Sequence, residues 1–375
     1  MINVFTTDSV QNINRAVIRR ELSQTHSGDL IFVVPEFAKA QVEREVIACL
    51  ETVSSYEINA GSTVVTAGFT NGDILSFIKL ASRILDCCGV SSCGGEGDTV
   101  LRNAIYSVIS NRRADLKTLG KLATRFEYIN SVISLLGDFS RYGIGPDQLD
   151  QAIRYASTKS RSQDYLDKLS DIRLIMTELM KLNEKYGFMF LKDPIAAANE
   201  TIEGLDDSRL SGRHCRSAVR FFKSHYCFIG FGSTRLLTPQ EMRLVSNLSS
   251  RGAVIDFYTL CSDSSGSETS KLYKCGNEFV SKLSSDYGAK VSRFVPEQES
   301  FDTAGDMSAV SEAAMDYALG RPYGGEPSDD IILSEIKGID DRIGYVFNEI
   351  IRLTHRKDGL RYKDIRVVCC DESLT

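Results

Sequence analysis

The residues most suited to chemistry lie between Arg209 and Glu241. His225-Tyr-Cys-Phe-Ile runs into the turn Gly230-Phe-Gly-Ser-Thr, and Thr238-Pro-Gln-Glu241 then opens an amphipathic helix. Thr238 fits the N-cap, Pro239 the first helical position and Glu241 the reciprocal partner of a capping box. A buried strand, an exposed turn and a capped helix form the layout in which open α/β sheets bind ligands. Upstream, Arg209, Arg213, Arg216, Arg220 and Lys223 recur at helical spacing, so they draw one basic stripe. A row of cations of this kind can hold phosphates or be a solvated helix face paired with acids elsewhere. The window from Ser208 to Gln240 contains no Asp or Glu.

Other chemistries find less support. His214, Cys215, His225 and Cys227 are metal-ligating types, but their spacing matches no common zinc pattern, so no metal is expected. The ten cysteines are scattered without a C-x-x-C pair and read as free thiols of a reducing compartment. Four dispersed histidines support no nucleophile triad, and no catalytic residue is assigned. Lys192-Asp193-Pro194 reverses the order a nuclease acid and lysine would need. Gly94 to Thr99 precedes a helix but lacks a strand before it and a lysine after it, so it reads as a linker.

These residues need elements to position them. The 375-residue chain has 42% hydrophobic and 25% charged residues, an ordinary globular balance. No apolar run approaches a membrane span and Met1 to Val10 lacks signal-peptide features, so a cytoplasmic location is expected. Strands are predicted at Ile2–Phe5, Asp29–Val34, Tyr226–Phe231, Val254–Leu260 and Lys290–Val295. Helices alternate with them, which predicts a doubly wound parallel sheet. From Thr99 to about Leu205 the periodicity is almost wholly helical: Val100–Ile109, Leu116–Phe139, Pro146–Ala156, Leu166–Tyr186 and Pro194–Ile202. Past Gly320–Pro327, a strand at Ile331–Ser334, a helix at Arg342–Thr354 and a strand at Ile365–Cys370 read as the start of a further domain whose remainder is missing.

Five phrases, in order along the chain, resemble the AddB/RexB family, the B subunit of bacterial ATP-dependent helicase-nucleases. They are Val33-Val-Pro-Glu36 with Gln41–Glu45, Leu75-Ser-Phe-Ile-Lys-Leu-Ala81, Asp138–Leu149, Gly230-Phe231 with Leu237–Glu241, and Tyr362–Val368. The resemblance implies an α/β, RecA-like (P-loop NTPase-type) sheet with an α-helical insertion and the start of a second α/β domain. The RecA-like part would span residues 1–97 and 206–320, the insertion 98–205, and the truncated second domain 328–375. It also implies ATP and Mg²⁺ in the complex, and a nuclease and an iron–sulfur cluster beyond Thr375, with no cofactor in this chain.

Phosphate binding in such a sheet needs G-x-x-x-x-G-K-[ST] after the first strand and a metal-holding acid at the end of another. Thr6 to Asn12 contain neither glycine nor lysine, and Gly230-Phe231 stand where the acid is required. Thr7, Asp8, Ser9, Gly230 and Phe231 therefore read as a degenerate nucleotide site. The resemblance further directs the turns after the second strand and at the Ser-Phe motif toward single-stranded DNA. This assigns Phe37, Lys39, Phe77 and Lys79 as contacts, beside the basic stripe; Phe77 also fits the inward face of its helix, and core packing is the favoured reading for it.

The leading expectation is a non-motor, helicase-like DNA-binding scaffold. It would bind a single strand or duplex end and pair with an AddA-type helicase-nuclease subunit in recombinational repair. Two alternatives stay open: an interaction platform for the motor subunit without DNA contact, and an active nucleotide-dependent helicase domain.

Overall fold

A computed structural model of the chain describes residues 1–7, 13–26, 28–59, 72–90, 97–121, 126–186, 193–205, 219–232, 236–262 and 271–295, and, further on, 332, 334–355, 360–362, 365, 367 and 368. Two units emerge, Met1–Ser300 and Phe301–Thr375.

Strands β1 (Ile2–Thr7), β2 (Leu30–Val33), β3 (Gly72–Leu75), β4 (His225–Ile229), β5 (Val254–Leu260) and β6 (Lys290–Arg293) form one sheet in the order β3-β2-β4-β5-β1-β6. Every pairing is parallel. The fold is α/β, consistent with a RecA-like sheet. Along the chain the helices are α1 (Ile13–Ser23), α2 (Lys39–Asn59), α3 (Phe77–Cys87), α4 (Gly97–Asn111), α5 (Phe126–Tyr142), α6 (Pro146–Thr158), α7 (Gln163–Tyr186), α8 (Pro194–Glu203), α9 (Pro239–Ser250), α10 (Lys271–Tyr287) and α11 (Ile339–Thr354).

Successive strand residues point to opposite faces, and both faces are covered, which is why the central strands read as unbroken apolar runs. Phe32, Val34, Cys227, Ile229 and Tyr258 pack with Val17 and Ile18 of α1 and Val42 and Val46 of α2. Their neighbours Ile31, Val33, Tyr226, Phe228 and Phe257 face the other layer, with Leu80 and Ile84 of α3, Leu244 and Val245 of α9, and Phe279 of α10. Helix α8 joins this second layer through Ile195, Ala197, Ala198 and Ile202.

Helices α4, α5, α6 and α7 enclose a core of their own, built on Ile105, Ile109, Leu136, Ile175 and Leu179. The predicted helix Leu116–Phe139 is interrupted there. Leu119–Lys121 is a single 3₁₀ turn, and α5 begins only at Phe126. The cause is buried Asp171 of α7, which accepts the backbone N–H groups of Lys117 at 2.9 Å and of Thr118 and Leu119 at 2.8 Å. A carboxylate that satisfies three backbone donors substitutes for a helical turn.

Two further expectations need correction. Gly72–Leu75 is a strand that the sequence pattern does not announce. Conversely, Ile332, Ser334, Ile365, Val367 and Val368 are not in strands. In the second unit α11 forms as expected, with Ile343, Phe347 and Ile351 on its exposed surface.

Candidate functional site

The carboxyl ends of β1, β5 and β4 lie side by side, with β5 between the other two. Thr7 closes β1 and accepts the Cys261 N–H through its carbonyl at 2.9 Å; Asp8 and Ser9 lie outside the described residues. After β4, Gly230 and Gly232 take φ values of +84° and +82°, a region that L side chains avoid. Space forbids a side chain as well: a Cβ on Gly232 would stand 2.4 Å from the Phe279 ring. Between them Phe231 is buried, its ring centroid 5.3 Å from Phe77 and 6.1 Å from Phe228. The position that would need a carboxylate is an aromatic plug.

The nearest downstream acid is committed elsewhere. Thr238 N donates to Glu241 Oε2 at 2.8 Å and Glu241 N to Thr238 Oγ1 at 3.3 Å, completing the capping box of α9. Asp193, just before α8, is pushed above the usual carboxylate range, chiefly by burial and further by the Glu241 charge, against the pull of Arg141.

The ends of β2 and β3 adjoin this region, and Val34 N–H bonds the Leu75 carbonyl at 2.9 Å. Pro35 turns the chain into the 3₁₀ turn Glu36–Ala38, which leaves Phe37 82% exposed. Lys39 opens α2 with its ammonium 3.9 Å from Glu43, a helical i,i+4 pair. At the neighbouring strand end Ser76 caps α3, and Ile78 and Lys79 are exposed on its first turn. Phe77 is different. It is 3% exposed and packed against Phe228 and Phe231, so it is a core residue and offers no face to a base.

Only part of the basic stripe is described. Arg209, Arg213 and Arg216 lie outside the described residues. Arg220 pairs with Asp29, which raises the guanidinium pKa, and exposed Lys223 follows at the end of the same helical turn. Asp29 immediately precedes β2, and its carbonyl accepts the His225 N–H that starts β4. Arg220 and Lys223 thus stand at the amino ends of the strands. At about 3.3 Å per residue, the five residues of β4 put roughly 16 Å between them and the Gly-Phe turn. Proximity in sequence does not become proximity in space, because a strand runs between.

Two cations between α4 and α5 are engaged in ion pairs. Arg112 meets Asp115 at 3.3 Å and Glu178 at 3.1 Å, and Lys117 meets Asp167 at 2.7 Å.

A family profile described as "ADDB, N-terminal" matches residues 12–206, just over half of the chain. The chain belongs to the AddB family. Its AddB relatives include the ATP-dependent helicase/deoxyribonuclease B subunit of Natranaerobius thermophilus, 26% identical over 94% of this chain and 28% of that protein. The corresponding protein of Acetivibrio thermocellus is 22% identical with the same coverage of both chains. That of Pelotomaculum thermopropionicum is 27% identical over 66% of this chain and 19% of its own length. The chain therefore spans less than a third of these AddB proteins.

One polar group has no signature in the sequence. Glu21, His26, His225 and Asp256 meet on the α1 side of the sheet. Of these, the sequence groups only His225 with other ligating types, and those are its chain neighbours.

Proposed function

We propose that this chain is the DNA-holding, non-hydrolysing amino-terminal part of an AddB protein that processes DNA ends together with an AddA-type motor-nuclease subunit. The observation that carries the reading is the contrast at the carboxyl ends of the strands. The place of a metal-binding acid is filled by the buried ring of Phe231, while Phe37 and Lys79 are exposed at the ends of the next two strands. The residues present do not fit ATP and Mg²⁺. Thr6 to Asn12 offer no glycine or lysine, and Glu241 is locked in a helix cap. An exposed aromatic ring suits stacking on bases, and a neighbouring ammonium suits their phosphates.

A fluorescence-polarisation titration with a labelled single-stranded oligonucleotide at two salt concentrations tests this. Binding that weakens with salt, and that Phe37→Ala weakens further, supports the proposal. Salt-independent or absent binding would instead favour a platform for the motor partner. In parallel, a phosphate-release assay with ATP and Mg²⁺ should show no turnover above background, and turnover would restore the helicase reading.

A further inference from the structure

At the amino ends of the strands, on the face covered by α1, two histidines far apart in sequence meet. His26 Nδ1 lies 3.2 Å from His225 Nδ1. Each ring's other nitrogen already faces an acceptor: His26 Nε2 is 2.7 Å from the Glu21 carbonyl, and His225 Nε2 is 2.9 Å from Asp256 Oδ2. A carbonyl and a carboxylate only accept, so both Nε2 atoms carry the hydrogen. With both rings neutral, the two Nδ1 lone pairs face each other across 3.2 Å, a gap that a shared proton or a bound metal ion fills.

The surroundings supply the rest of a metal site. Glu21 is 1% exposed, and its Oε2, buried and without a hydrogen-bond partner, lies 3.5 Å from His225 Nε2 and 3.7 Å from His26 Nε2. One ligand atom from each of Glu21, His26 and His225 falls within 4.8 Å of the others. The second carboxylate, Asp256, is 5% exposed and is oriented by Asn3 Nδ2 at 2.7 Å. Tyr258 donates its hydroxyl to the other Glu21 oxygen. Arg20 stands 3.9 Å from Glu21 and is itself stacked on Phe5. Burying two carboxylates side by side is costly, and a bound cation offsets that cost.

We infer that Glu21, His26 and His225 form a binding site for a zinc-class divalent cation, with the two Nδ1 atoms as ligands and the buried Glu21 carboxylate, which approaches both rings from the Nε2 side, balancing the charge of the ion. Two nitrogens each about 2.05 Å from a tetrahedral ion stand about 3.3 Å apart, close to the observed separation. Asp256 and the Glu21 carbonyl act as the outer partners that fix each ring's tautomer, the arrangement found behind most metal-binding histidines. Partial exposure of both rings, 10% and 13%, leaves a route for the ion. The site ties the loop after α1 to the start of β4, so its role is structural.

The test uses the metal alone. The chain is stripped of metal, titrated with Zn²⁺ and dialysed, and its metal content and melting temperature are measured. One retained ion per chain, with a raised melting temperature, is expected. His26→Gln and His225→Gln should each abolish both effects, and His355→Gln neither. Because these variants can also weaken the fold, the unaltered chain is loaded with Co²⁺. Ligand-field bands without sulfur charge transfer support nitrogen and oxygen ligands. No retained metal, a thiolate-type Co²⁺ spectrum, or equal retention by the His26 and His225 variants would overturn the site and leave the two rings sharing a proton.

Discussion

The two ends of this one sheet solve opposite problems. At the carboxyl ends of the strands, Phe231 and Phe77 fill the space beside β4 with rings, and polar chemistry is pushed outward to Phe37, Lys39 and Lys79. At the amino ends, Glu21, His26, His225 and Asp256 bury a connected polar group between strands and α1. In open parallel sheets ligands gather at the carboxyl ends. Here that end carries the buried ring of Phe231, whereas the opposite end has assembled ligating groups the sequence pattern does not advertise. Which groups each end presents is therefore decided by packing, not by motif position.

The comparison can be broken most forcefully at Phe231. Phe231→Asp would bury a carboxylate among Phe77 and Phe228 and should cost about 4 kcal/mol or more. A urea titration followed by circular dichroism measures it. An unaltered midpoint would show that the plug is open to water and that an acid could function there. Next in size is Asp256→Ala at the other end, which strips His225 and Asn3 of their acceptor. The expected loss is about 3 kcal/mol, read in the same titration; a change below about 0.5 kcal/mol would mean the polar group is not a connected unit.

Surface changes sharpen the functional half of the contrast. Phe37→Ala should leave stability within about 0.5 kcal/mol of the original but weaken single-strand binding by about 1–3 kcal/mol. Lys79→Ala should lower the salt slope of that binding by about 0.7. Both are read from polarisation titrations across a salt series. The smallest effect is expected at Asp193. Its pKa is raised in the folded chain, so the native state binds its proton more readily than the unfolded one does. Stability is then lost as pH rises through the unfolded carboxylate range toward the folded value, and stays lost above it. Asp193→Asn should raise the melting temperature by about 1–3 °C at pH 7. The gain should vanish below the ordinary Asp range, which calorimetry at several pH values would show.

Much of the sheet was legible because its central strands are short apolar runs closed by turn residues. Tyr226 to Ile229 and Ile31 to Val34 are examples, and Thr238 with Glu241 marks the start of α9. Strand β3 was hidden because Gly72-Asp-Ile-Leu is only four residues long and half polar, and it becomes a strand by pairing with β2 at the sheet edge. The break before α5 depends on Asp171, 53 residues from Thr118 in the chain, so local periodicity carried no trace of it. Phe77 fits both a helix face and a stacking position, and only the neighbouring rings decide between them. The histidine pair spans 199 residues, a distance no spacing rule covers.

The DNA contact proposed here lies at the carboxyl ends of the strands and not along the basic residues at the amino ends. Its most direct test compares two double variants, Phe37→Ala with Lys79→Ala and Arg220→Ala with Lys223→Ala, in the same single-strand polarisation titration. The first pair should weaken binding at least tenfold, while the second should change it less than twofold. Loss of binding confined to the Arg220 and Lys223 pair would contradict it.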